Sequence, residues 1–369
     1  MLSLGSNIST TQAVEAKYSA SFDGNGDFID LGNSDDIIST SQANVTLMCW
    51  VKPQEEAGNQ YIFTNKRTAG SSNFSLRMHS DSGIKFNGLI YTGTGLSTTL
   101  TSTTTVTAGT WYHVAVTAKA NEQKIYINGQ LEHTLTLAFG MSPSATNECT
   151  IGSFGSGSEY EGLILELAIF NACLTGNAVL AAYNSGFDLK TNVGDYTNSS
   201  DITHYYKMGD GFFDDKANGV VHDQDNPGFG SDLVLAGDFS DVSEWSVGTG
   251  WAIAGGKATC TSGNSNLQQN GTEGGGSTWI VAGKTYKIIY TISDYTSGNL
   301  VIDIGGSSAY TDSSPTVGAN KIYLTTVNTN HLRFYGGAFR GSISNVTVHQ
   351  LNGEPGLTSG GVTFSSDTP

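Results

Sequence analysis

The sequence predicts an all-β protein built as two β-sandwich (jelly-roll) domains in tandem, and three observations carry that expectation. Apolar and polar residues alternate at a period of two in many short runs, the signature of half-buried strands. A helical pattern is confined to Thr175–Asn184. Of 369 residues 47 are glycine and only 14% are charged, which suits many tight turns and a surface clothed in small polar side chains.

The first domain starts at Tyr18. Val45, Leu47, Cys49 and Val51 alternate with Thr46, Met48, Trp50 and Lys52 until Pro53 closes the run. Tyr112, Val114, Val116 and Ala118 repeat the pattern. The run 124–127 leads into Asn128-Gly129, a pair that favours the tightest hairpin because both residues adopt positive φ. Further strands are expected at 61–64, 74–78, 84–86, 150–152 and 162–170. Residues 189–232 are polar, with one strand-like stretch around 204–208, and read as a closing strand followed by a linker in which His222 is a solvated loop residue.

A new alternating pattern begins at Leu233 and gives eight or nine short strands up to Val348. The predicted organisation is therefore an N-terminal arm (1–17), a first sandwich with closing strand and linker (18–230), a second sandwich (231–351) and a flexible Gly/Ser/Thr-rich tail (352–369).

The formal net charge is -16, so a nucleic acid would be repelled. Residues 1–232 hold 11 basic and 24 acidic side chains, whereas 233–352 hold 6 and 7. Cys49, Cys149, Cys173 and Cys260 are scattered singly, which argues for buried free thiols rather than a zinc site. No apolar run reaches the ~18 residues of a membrane span, so no membrane insertion is expected. The opening Met-Leu-Ser-Leu-Gly-Ser-Asn has no secretory-signal pattern, and synthesis in a cytoplasm without export by that route is the expectation.

Three places in the sequence offer candidate chemistry. Glycoside hydrolysis needs two carboxylates about 5–9 Å apart across one bond. Glu161 and Glu166 are the nearest pair, yet their spacing of five puts them on opposite faces of a regular strand, and only a bulge would change that. Asp23, Asn25 and Asp27 offer oxygen ligands for calcium, the one candidate cofactor, against the simpler reading of a polar hairpin turn. Sugar recognition rests on aromatic faces beside polar groups. In the second domain Trp279 and Tyr286 sit in strand-like runs and read as core, which leaves Tyr295, Tyr310, Tyr335 and Phe339 beside Arg333 and Arg340.

Several of these motifs occur together in known families. Phe22-Asp-Gly-Asn-Gly-Asp-Phe-Ile, Cys49-Trp-Val-Lys-Pro53, Gly109-Thr-Trp-Tyr-His-Val-Ala-Val-Thr117 and Tyr160-Glu-Gly162 resemble the laminin-G-like, or concanavalin A-like, jelly roll. Asp238-Phe, Gly250-Trp251, Ala282-Gly-Lys-Thr-Tyr286 and Ile343-Ser-Asn-Val-Thr347 resemble a carbohydrate-binding-module-type jelly roll, whose opening acidic residue, here Asp238, binds a structural calcium in related modules. The opening peptide, the two sandwiches and the Lys-Met-Gly-Asp-Gly run at 207–211 together resemble structural proteins of marine bacteriophages.

That resemblance implies a non-enzymatic virion structural protein, a capsid decoration, fibre or tail component, that exposes glycan-binding sandwiches for host or surface attachment. Its partners would be other virion proteins, host-surface glycans and its own copies, a trimer being favoured. Its place would be the virion surface after synthesis in the host cytoplasm. The alternatives are a purely structural cementing protein without sugar binding and a cellular adhesin or lectin.

Overall fold

The computed structural model describes residues 16–39, 42–55, 58–66, 72–91, 97–137, 147–155, 158–185, 188–262, 265–269, 280–306, 310–329 and 331–369. Most of the predicted N-terminal arm and Trp279 lie outside them. The fold is all-β and divides into two compact units, each with its own apolar core. Unit 1 comprises 1–225 and 356–369, and unit 2 comprises 226–355. The second sandwich is thus an insertion within the chain of the first.

In unit 1 the strands run β1 (Ser19–Asp23), β2 (Phe28–Asn33), β3 (Asn44–Pro53), β4 (Gln60–Lys66), β5 (Ser72–Ser80), β6 (Ile84–Tyr91) and β7 (Ser97–Thr105). They continue with β8 (Tyr112–Lys119), β9 (Glu122–Ile127), β10 (Gln130–Leu135), β11 (Glu148–Ile151), β12 (Glu161–Phe170), β13 (Ile202–Tyr206) and β14 (Val220–Val221). Unit 2 holds β15 (Trp245–Val247), β16 (Trp251–Ala254), β17 (Lys257–Cys260), β18 (Asn266–Gln269), β19 (Thr285–Asp303), β20 (Tyr310–Asp312), β21 (Gly318–Thr325) and β22 (Arg333–Gln350). The chain then returns to unit 1 as β23 (Gly356–Ser359) and β24 (Thr363–Ser365).

Two sheets form the first sandwich. One is ordered β10-β9-β8-β3-β12-β1-β24, with β13 also on β12, and the other β14-β23-β2-β11-β4-β5-β6-β7. The alternating residues of β3 and β8 meet Ile29, Phe63, Phe74, Leu76 and Ile151 of the facing sheet in one core. Asn128 and Gly129 take φ of 49° and 76° and turn β9 into β10, as their dipeptide predicts.

The tail departs from expectation. It is not a frayed end: β23 lies between β14 and β2, and β24 pairs with β1. Val362 and Phe364 pack on the core, and Asp367 accepts hydrogen bonds from Lys52 Nζ (2.6 Å) and Trp111 Nε1 (3.2 Å). Strands of four and three residues are too short to show a period, so only these long-range partners define them.

The segment 189–225 is likewise more than a linker. Outward-facing Met48, Ala115, Ala168 and Phe170 of the first sheet are covered by Ala178, Val179 and Ala182 of helix α2 (Gly176–Asn184), and by Leu189, Tyr196, Ile202 and Tyr205. Thr175 caps α2 by accepting the Ala178 N–H. His222 is fully buried rather than solvated, because the Asp214 carboxylate accepts the N–H groups of His222, Gly209 and Gly211 and folds the loop inward.

In unit 2 the 19-residue β19 pairs along its length with the 18-residue β22. β21 and β20 flank β19, while β17 and β18 flank β22 and carry β16 and β15 beyond them. Among the described residues no helix is long and apolar enough to cross a membrane.

Candidate functional site

A partly exposed arrangement of aromatic and polar groups lies on the outer face of the second sheet of unit 1. Strand alternation sends Ile29, Cys149, Ile151 and Phe63 inward, so the partly exposed Phe28 and Asp30 lie on the other face of the sheet, together with Thr150 and Thr64, which are buried there. Tyr61, which is buried, and the partly exposed Arg77, paired across β4 and β5, lie beside them. The turn after β11 places Phe154 over this face. It is braced by the Thr150 hydroxyl donating to the Ser153 carbonyl (2.6 Å) and by the Gly155 N–H donating to the Ser153 hydroxyl (2.9 Å).

Phe154 stacks on Tyr61 with ring centroids 4.9 Å apart and planes at 28°. Lys66 Nζ lies 5.4 Å from the Phe154 centroid and 2.9 Å from a Glu148 carboxylate oxygen. Arg77 donates to the Tyr61 hydroxyl at 3.1 Å and sits 5.5 Å over its ring. Between these groups a shallow cleft of about 60 Å³, open to solvent, is lined by Phe28, Lys66, Glu148, Thr150, Ser153 and Phe154. Asp30 stands nearby and accepts the Gly32 N–H at 2.8 Å. Burial raises its pKa and the Glu148 charge adds to the rise, against the Gly32 N–H and Lys66. Aromatic faces next to fixed donors and acceptors form a platform on which a pyranose ring can stack and be oriented.

None of these residues was singled out in the sequence. They come from β2, β4, β5 and β11 and the turn beyond, as far apart as Phe28 and Phe154. Only the pairing of those strands brings them together.

The sugar candidates of unit 2 are dispersed. Phe339 is fully buried and stacks near Trp251 (6.1 Å) and Tyr295 (6.0 Å), so it is core and not a binding residue. The cause is a bulge in which Gly337 and Ala338 both oppose Asn299, with Ala338 at φ 67°. That extra residue turns Phe339 inward beside Phe334, although their spacing of five would separate them on a regular strand. Tyr295 packs partly on the same core and donates its hydroxyl to the Gly298 carbonyl at 3.1 Å. Tyr310 is 39% exposed but pairs with Ile302, on the core side of the sheet edge.

Tyr335 and Arg333 share the outer face with Asn266 and Gln268 of β18. Arg333 is ion-paired with the buried Asp303. Arg340 donates to the Phe339 carbonyl at 2.9 Å. The structure therefore joins Arg333 and Tyr335, and leaves the other four apart from them.

The carboxylates proposed for calcium are otherwise engaged. Asp27, fully buried, accepts the Asp23 N–H (2.9 Å) on one oxygen and the Gly361 N–H on the other, and so anchors the returning tail. Asp23 accepts the Asn25 N–H at 2.8 Å, a local turn. Asp238 accepts the N–H (3.0 Å) and hydroxyl (2.7 Å) of Ser240, whose hydroxyl is the main cause of its lowered pKa. These residues do not fit a calcium ion, and among the described residues no group of three or more His, Cys, Asp or Glu could hold a metal.

The Glu161–Glu166 pair is also resolved. β12 does carry a bulge, between Leu165 and Ala168, with Glu166 at φ 53°. Five residues of strand nevertheless separate the pair by ~16 Å, beyond the reach of two glycosidase carboxylates. Glu166 is buried beneath the cover and accepts the Tyr205 hydroxyl. Burial lifts its pKa to about 8.

Residues 23–180 match the family described as the concanavalin A-like lectin/glucanases superfamily. Within the first unit, this stretch is thus similar to a laminin-G-type jelly roll. No curated protein sequence matches the chain. Among solved structures, the chain is similar to a SAP-like pentraxin from Limulus polyphemus, at 18% identity over 46% of this chain and 82% of that one, with a TM-score of 0.37. It is also similar to domain 4 of a GH43 extracellular arabinanase from Geobacillus stearothermophilus bound to arabinotriose (22%, 44% and 74%, TM-score 0.34). A third is the CBM40 of a Ruminococcus gnavus sialidase bound to α2,3-sialyllactose (16%, 46% and 99%, TM-score 0.37).

Proposed function

We propose that this protein is a non-enzymatic glycan-binding protein that acts at the surface of a bacteriophage particle. The observation that carries sugar binding is the cleft between Phe28, Phe154 and the Lys66–Glu148 pair, on the outer side of the second sheet. A match of residues 23–180 to a superfamily of lectins and glucanases supports the same class of ligand. Against hydrolysis stand the separation of Glu161 from Glu166 and the burial of Glu166.

The virion role rests on the likeness of the module order to marine-phage structural proteins. In this reading the chain decorates a capsid, fibre or tail as a homo-oligomer, a trimer being favoured, with the sandwiches meeting host glycans. A glycan array probed with the full chain tests the binding: selective signals lost on Phe154→Ala support it. Silence from a folded protein leaves the cementing role. Antibody labelling of purified particles tests the location, and virions without label would sink it.

A further inference from the structure

The charges around the unit 1 cleft specify more than sugar in general. Lys66 is the one cation lining it among the described residues, and it is already engaged: its ammonium lies 2.9 Å from Glu148. The two groups are unequally placed. The Lys66 side chain is 17% exposed and lies against the Phe154 ring, whereas Glu148 is 63% exposed at the rim. A ligand entering from solvent therefore meets the carboxylate before the ammonium. Asp30, close enough for Glu148 to raise its pKa, adds a second carboxylate that no further described cation balances. Arg77 is committed to Tyr61 on the far side of the Phe154 stack. Unit 1 as a whole carries 11 basic and 24 acidic side chains, so its long-range field has the same sign as the rim.

We propose that this cleft selects terminal sugars by charge, accepting uncharged and amino-bearing pyranoses and rejecting those with a carboxylate. The inference rests on the sugar-binding reading of the cleft and names its ligand class. The ring would stack on Phe154, and an amine or hydroxyl would meet Glu148, with the Asp30 carboxylate adding to the negative field nearby. A uronic or sialic acid carboxylate would face like charge, and could reach Lys66 only by displacing Glu148. Specificity would thus come from a repulsive element as much as from an attractive one.

The test uses the full chain and three sugars that share one ring: the methyl glycosides of glucose, glucosamine and glucuronic acid, with the galacto series in parallel. Affinities are measured by titration calorimetry at low and moderate salt. The expected order is amino sugar, then neutral sugar, then acid, with the acid at least about tenfold weaker than the neutral sugar and the gap narrowing as salt rises. Glu148→Gln should free Lys66 and bring the acid to within about threefold of the neutral sugar. Equal or tighter binding of the uronide by the unaltered protein would overturn the charge selection and leave the site a sugar site. Binding that survives Phe154→Ala would place the ligand elsewhere and overturn the proposal. No binding of any member by the folded protein would remove the sugar reading together with this one.

Discussion

The two sheets of unit 1 are written in the same alternating pattern but meet different fates on their outer faces. The first sheet is roofed by α2 and the chain from Leu189 to Tyr205, so Met48, Ala115, Ala168 and Phe170 are buried on both sides. The second sheet leaves Phe28, Phe154, Lys66 and Glu148 at a cleft open to solvent. The roofed face holds groups that need shielding, such as Glu166 and His113, and the open face holds groups that can meet a ligand. The difference teaches that function on this fold is decided by which face the connecting segments happen to cover, not by the strands themselves.

The largest expected break of that comparison removes the tail. Deleting 356–369 takes out β23, an interior strand of the second sheet, and β24, together with the Asp27–Gly361 and Lys52–Asp367 contacts. Unit 1 should fail to fold, while unit 2, which has a separate core, keeps its own transition. Scanning calorimetry should show two transitions shrink to one, and retention of both would refute the structural role of the tail.

Next in size is a pH effect confined to the roofed face. Burial raises the Glu166 pKa from 4.5 to about 8, so between those values the unfolded chain releases a proton that the fold keeps. Stability from this group is therefore complete below pH 4.5 and is lost as pH rises toward 8. Burial lowers the His113 pKa from 6.5 to about 4, so that group costs stability as pH falls through this window. The two slopes oppose each other between pH 4.5 and 6.5, and Glu166 acts without that opposition from 6.5 to 8. There it should remove about 2 kcal/mol, at roughly 1.4 kcal/mol per unit. Glu166→Gln keeps a polar partner for Tyr205 and should flatten that limb in urea unfolding at pH 6.5 and 8. An unchanged slope would mean that Glu166 is ionised within the fold.

How far the sequence disclosed this arrangement depends on the kind of interaction. Alternation located the inner-face residues of β3 and β8, and Asn128-Gly129 located a hairpin, because both signals are local. Parity failed at two bulges, near Glu166 and at Ala338, where one added residue reverses the face of all that follows and carries Phe339 into the core. The roof and the cleft were illegible for a different reason. Tyr196 meets Phe170, and Phe154 meets Tyr61, only after distant strands pair, and neither contact leaves a periodic trace. Trp245 and Trp251 are core residues whose indole N–H groups donate to the Ala236 and Ser265 carbonyls.

A matched pair of truncations sharpens the comparison further. Val179→Ala under the roof should cost about 2 kcal/mol, because a fully buried side chain leaves a cavity between α2 and the sheet. Phe154→Ala on the open face should cost less, about 1 kcal/mol, since only the Tyr61 stack and partial burial are lost. Their effects on sugar binding should run the other way, with Phe154→Ala abolishing it and Val179→Ala leaving it intact. A roof mutation that weakened binding as much would show that the two faces are coupled through the core.

The smallest expected effect on stability is also the one that separates folding from recognition most cleanly. The Lys66–Glu148 pair is 2.9 Å long, but its carboxylate is 63% exposed, so solvent screens the attraction and ordering two side chains offsets what remains. Lys66→Ala should shift the unfolding midpoint by an amount equivalent to less than ~1 kcal/mol. It should nevertheless strip the cleft of its only described lining cation and leave Glu148 and Asp30 unopposed, which raises the Asp30 pKa further. The amino sugar should then gain affinity relative to the neutral one. A stability loss of several kcal/mol would instead make the pair part of the sandwich, a structural tie on the open face comparable to those beneath the roof.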